Sequence, residues 1–85
     1  MYVSFGKNGG DSMAVEYIQI EATFGVNAGM VWQALSKLGT ATPIMIKKET
    51  TLTLDDVYGA LGWLAREGKI VQIRDGDIIM FRLNE

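Results

Sequence analysis

Residues 53–83, TLDDVYGALGWLAREGKIVQIRDGDIIMFRL, read as one helix running straight into a tight β-hairpin, and no other feature constrains the fold as much. Thr53 is the N-cap, and Asp56 three residues on completes a Thr-x-x-Asp capping box. Leu52 and Val57 sit where a hydrophobic staple clamps the first turn. Gly68 supplies the left-handed residue that ends the helix. Asp75-Gly76 supplies a two-residue type I′ turn between two apolar runs. Helix then hairpin, with no linker between them, is the frame into which the rest of the chain must fit.

Eighty-five residues hold one core and leave no room for a second. A hydrophobic content of 48% supports a folded globule. No apolar run approaches the roughly 18 residues of a membrane span. The N-terminus has one lysine and no apolar h-region before its glycines, so it does not read as a signal peptide. The cytoplasm is the expected location. Cysteine and histidine are both missing. Disulfides, thiolate chemistry, the commonest general base and the commonest metal ligand go with them. The glycines follow neither the GxxxxGK[ST] nor the strand-GxGxxG-helix order. Asp75 and Asp77 around Gly76 lack the rest of a calcium-ligand series. The sequence therefore points away from an enzyme, and no catalytic, cofactor-binding or metal-ligating residue is expected. Net charge is −2, with an isoelectric point near 5.0, so no global basic field draws in nucleic acid.

Residues 1–12 read as a loose leader rich in glycine, and residues 13–85 as a single domain. Over 14–24, Ile18, Ile20, Ala22 and Phe24 alternate with Tyr17, Gln19, Glu21 and Thr23, which predicts a strand. A short helix started by Ser12 is the competing reading. Asn27 caps the next helix, about 27–38, with Val26 and Val31 as its staple and Gly39 closing it. At about 100° per residue, Val31, Ala34, Leu35 and Leu38 form its core stripe, flanked by Met30 and Trp32. Thr42-Pro43 opens a second helix, about 43–49, whose inward residue is Ile46, assisted by Ile44 or Met45. The third helix is expected at about 54–67, and the hairpin strands at about 69–74 and 77–83.

Three helices followed by a hairpin are the α+β architecture of a winged helix-turn-helix, here with an additional N-terminal strand. GVNAGMVWQAL and VYGALGWLAREGKI resemble a family of small prokaryotic winged helix-turn-helix proteins of uncharacterised function. The resemblance covers about residues 25–83. It implies the winged-helix fold and, by analogy with larger relatives, a nucleic-acid or regulatory role. It implies no ligand or activity, and does not extend to residues 1–24.

In DNA-binding relatives the third helix lies in the major groove. On a helical wheel, Leu54, Val57, Tyr58, Leu61, Leu64 and Ala65 share the core face. Asp55, Asp56, Gly59, Gly62, Trp63, Arg66 and Glu67 share the other. A base-reading face offers arginine, lysine, asparagine or glutamine. This one offers three carboxylates, two glycines, a tryptophan and one arginine. The aspartates suit the helix dipole and repel phosphate. Each glycine costs about 1 kcal/mol against alanine inside an exposed helix. Keeping both beside Trp63 suggests either a close-contact surface for a partner, anchored by Trp63, or room into which Trp63 folds back onto the wing or N-terminal strand.

With Asp75-Gly76 as the loop, Arg74 opposes Asp77, Ile73 opposes Ile78, and Val71 opposes Met80. One hairpin face then carries Val71, Ile73, Ile78 and Met80, the other Ile70, Ile79 and Phe81. Only one of them can lie on the helices, so the other needs cover from the N-terminal strand or a second subunit. Charge balances to −1 over residues 42–67 and +1 over 68–83.

The chain thus reads as a winged-helix regulatory domain. Fold analogy favours weak binding of double-stranded DNA, with Lys47, Lys48, Arg66, Lys69 and Arg74 as the contacts. The residues themselves favour an alternative, a protein-interaction or dimerisation module whose partner surface is Gly59, Gly62, Trp63, Ile79 and Met80. Duplex DNA, a protein partner and a second copy of the chain are the candidate partners, and a membrane is not.

Overall fold

The computed structural model describes residues 15–85. It contains a π-helical turn (Glu21–Gly25), three helices, α1 (Val26–Leu38), α2 (Pro43–Glu49) and α3 (Leu54–Arg66), and two strands, β1 (Ile70–Asp75) and β2 (Ile78–Leu83). The leader expected over residues 1–12, and Ser12 as a helix start, lie outside the described residues.

Local chemistry accounts for the ends of α2 and α3. Pro43 occupies the first turn of α2, and the Met45 N–H donates to Thr42 Oγ1 at 3.2 Å. At α3 the Asp56 N–H donates to Thr53 Oγ1 at 3.1 Å, while the Thr53 N–H donates to the Asp56 carboxylate at 3.4 Å. This is the reciprocal capping box. At the other end Gly68 takes a φ of 72°, the Gly68 N–H donates to the Ala65 carbonyl (3.0 Å) and the Lys69 N–H to the Leu64 carbonyl (2.9 Å). These two bonds make a Schellman motif. The chain leaves it directly into β1.

The core is the buried stripe of α3, Val57, Ala60, Leu61 and Leu64, set against Val31 and Leu35 of α1 and Ile46 of α2. Ile70 and Leu83, opposite each other at the base of the hairpin, close its far side. Ala41, fully buried, exchanges backbone bonds with Phe81 (2.9 and 2.8 Å) and adds one rung to the outer side of β2. The inward face of α3 is turned from the expected one. Ala60 is buried, whereas Tyr58 is 55% exposed and Ala65 is exposed. Ala28 and Ala34 of α1 are buried in the same core cluster as Ala60. On α2, Ile46 is buried together with Pro43 and not with Ile44 or Met45, which are both exposed.

The strand expected over 14–24 is not formed in the described part. Residues 15–19 have no regular structure, Ile20 begins a helical backbone, and the π-helical turn runs on into α1. Asn27 accordingly lies inside a helix, and no side chain caps α1. The alternation was ambiguous because Ile18/Ala22 and Ile20/Phe24 are also spaced i,i+4. Packing decides between the two. A Cβ on Gly59 would lie 3.3 Å from the Phe24 ring, and one on Gly25 would lie 3.7 Å from the Trp63 ring. A helical turn aims adjacent residues 24 and 25 at α3 together, whereas a strand would send them to opposite sides. Gly59 and Trp63 are therefore covered by the chain's own N-terminal turn, and the turn, not a strand, is what folds back there.

The hairpin turn also moves. Asp75 pairs with Ile78, Ile73 with Met80 and Ile70 with Leu83, so the loop residues are Gly76 and Asp77. Gly76 has a φ of 64° and no other loop residue has a positive φ, the sign pattern of a type II′ turn. A type I′ turn on Asp75-Gly76 would have forced the aspartate into the left-handed region, whereas here glycine alone bears it. The pairing is displaced by two residues, and side chains alternate with a period of two, so each stays on its expected face. Val71, Ile73 and Met80 are half-buried on the outer face, and Ile78 is 54% exposed.

Two stability measurements test this packing. Leu61, 3% exposed at the centre of the core, should cost about 2–5 kcal/mol when changed to alanine, a large part of the roughly 5–15 kcal/mol that holds a domain together. An unchanged thermal melt would refute the α3 face described here. Gly62 has open space around its Cα, so Gly62→Ala should stabilise by about 1 kcal/mol through helix propensity. Gly59→Ala should gain clearly less, because its methyl group presses on Phe24. Equal melting temperatures for the two variants would mean that Phe24 does not rest on Gly59 in solution.

Candidate nucleic-acid interface

The outward row of α3 is Asp55, Tyr58, Gly62, Ala65 and Arg66, all exposed. It begins with a carboxylate and ends with a guanidinium, and between them stands one aromatic ring. Asp56 is half-buried and committed to the capping box. The first turn of α3 thus presents acids where a groove-reading helix presents donors.

The five basic residues singled out in the sequence are all exposed, but the structure does not bring them into one patch on α3. Lys47 and Lys48 lie in the last turn of α2, Arg66 in the last turn of α3, Lys69 between α3 and β1, and Arg74 near the end of β1. Their surroundings are less neutralised than the local balance suggests. Glu49, adjacent to the two lysines, is engaged by Lys37 of α1 at 2.6 Å. The hydrogen bond from Lys37 to Glu49, and then the opposite charge, raise the Lys37 ammonium above its ordinary value. A raised lysine contributes its stability in full below the ordinary lysine range and loses it only as pH climbs through the raised value, so the contribution of Lys37 does not change near neutrality. Lys69 pairs with Glu67 at 3.4 Å. Lys47, Lys48, Arg66 and Arg74 form no ion pair among the described residues.

The expected partner surface is divided. Gly59 lies under Phe24, Trp63 packs against the core, and Gly62 alone stays open. Ile79 shares the inner hairpin face with Phe81, and Met80 lies on the outer face with Ile73. A shallow groove that the sequence did not mark runs between Thr42 and Pro43 at the start of α2, Tyr58 of α3, and Gln72, Ile79 and Phe81 of the hairpin. A wheel centred on Ala60 would have revealed Tyr58, because Tyr58, Gly62 and Arg66 are spaced i,i+4.

No helix among the described residues is long and apolar enough to cross a membrane. No curated protein matches the chain. Among solved structures it is similar to the protein BT2368 from Bacteroides thetaiotaomicron, determined in solution by NMR. That similarity has 35% identity and a TM-score of 0.66, over 76% of this chain and 79% of that one. Residues 19–83 match the family described as "Winged helix-turn-helix domain (DUF2582)". The three helices, the hairpin wing and the Ala41 rung agree with that description, and the chain belongs to this winged helix-turn-helix family.

Proposed function

We propose that this winged-helix domain binds duplex DNA weakly, through phosphates and not through base edges. The observation that carries this reading is the set of exposed cations, Lys47, Lys48, Arg66 and Arg74, that form no ion pair among the described residues, around an α3 whose first turn is acidic. Such cations hold a phosphate backbone but carry little sequence information. Asp55 and Asp56 oppose deep insertion of the helix, and Asp75 and Asp77 oppose insertion of the wing tip. Association of a protein through the glycine strip of α3 gains less support, because Phe24 already occupies the Gly59 end.

A fluorescence-anisotropy titration of several unrelated duplexes tests this. Binding should be insensitive to sequence, in the range of about 10⁻⁴–10⁻⁶ M near physiological salt, with log K falling against log salt with a slope of roughly −3 to −5. Lys47→Glu combined with Lys48→Glu should abolish it, and Arg66→Ala should reduce the slope by about 1. Sub-micromolar, sequence-selective binding at physiological salt would overturn the phosphate-only mode. No binding at low salt would overturn DNA as the ligand.

A further inference from the structure

The outer edge of β1 presents backbone donors and acceptors that no strand among the described residues takes up. Phe81 exchanges its N–H and C=O with Ala41, and the Asn84 N–H donates to the Lys69 carbonyl at 2.9 Å. In an alternating antiparallel ladder these bonds place Lys69, Val71 and Ile73 in the rows bonded to β2. The N–H and C=O groups of Ile70, Gln72 and Arg74 therefore point out of the sheet. No strand among the described residues pairs with that edge. Its protection is thin: the pairing runs without a bulge, there is no proline, and Ile70 to Ile73 carry no charge, which leaves Arg74 and Asp75 beside the turn as the charged residues of the strand.

We propose that β1 pairs antiparallel with β1 of a second copy about a two-fold axis through Gln72, making a four-stranded sheet. In this register Gln72 faces Gln72 of the second copy, and Ile70 faces Arg74 in both directions. Every outward N–H and C=O of β1 then finds a mate. The same register sets Val71 beside Ile73, a β-branched pair that closes over part of the outer apolar face. It also sets Lys69 opposite Asp75 at both ends, so the charges are complementary. A patch that meets itself in this way is what a closed two-fold dimer requires. The buried residues of the hairpin, Ile70 and Leu83, lie at its base. Antiparallel pairing puts the two bases, and the helices packed on them, at opposite ends of the combined sheet.

Sedimentation of the full chain, from micromolar to millimolar and without DNA, tests the proposal. The mass should rise with concentration from 9.4 kDa to twice that value. Lys69→Asp and Asp75→Lys should each weaken the dimer roughly tenfold by setting like charges opposite each other, and the double variant should restore it. Gln72→Pro removes an outward N–H without touching the bonds to β2, so it should abolish the dimer while the monomer stays folded. If that variant does not fold, the charge series decides alone. A 9.4 kDa species at every concentration would overturn the proposal, as would a dimer that ignores the charge swaps. The first result would leave the edge without a second copy of β1, and the second would place the contact elsewhere.

Discussion

Burial of one stripe of α3 is the contact on which the rest of this domain depends. Val57, Ala60, Leu61 and Leu64 meet α1 on one side, Ile46 of α2 on another, and the base of the hairpin at the C-terminal end. Burial there also holds the shortest elements, which cannot fold alone: α2 has seven residues and each wing strand has six. The same stripe fixes what α3 can show to solvent. With Ala60 inward, Tyr58, Gly62 and Arg66 must face outward, so the candidate interface follows from the packing.

Polar chemistry then determines where each element stops. Thr42, Thr53 and Gly68 are ordinary surface or turn residues, yet they set the ends of α2 and α3 through named bonds. Thr50 does the same for the turn between these helices: its Oγ1 donates to the Ile46 carbonyl at 3.0 Å and accepts from the Leu52 N–H at 3.3 Å. Two surface ion pairs, Lys37–Glu49 and Lys69–Glu67, add little stability at such exposure. Their larger effect is on the surface field, since they occupy two of the acids that would otherwise screen the basic residues nearby.

The parts of the fold legible in the sequence are those governed by local rules. The capping box at Thr53, the proline start at Pro43, the left-handed Gly39 and Gly68, and the α-helical period of α1 and α3 each involve neighbours within a few positions. The parts that were not legible depend on distant contacts. Alternation over 18–24 fits a strand or a helical turn equally well, and only Gly59 and Trp63, more than thirty residues away, select the turn. Which flank of the α3 stripe lies inward is decided by packing against the other elements, which buries Ala60 and leaves Tyr58 and Ala65 exposed. The hairpin loop depends on whether Asp75 or Gly76 comes first in the turn, a choice that leaves the two faces unchanged. The basic residues were identifiable by type, but the engagement of Glu49 beside Lys47 and Lys48 was not, because Lys37 and Glu49 are twelve positions apart.

The junction at Gly68 has a mechanical consequence. Lys69 donates to the last turn of α3 and accepts from Asn84, while the Asn84 side chain donates to the Gly68 carbonyl at 3.1 Å. Helix, glycine and both strands of the wing are thus fastened together within a few ångströms, with no slack segment between them. The wing is therefore coupled rigidly to the C-terminal end of α3. A force applied at the wing edge or tip is delivered to the last turn of α3, where Arg66 stands, and is not absorbed in a loop.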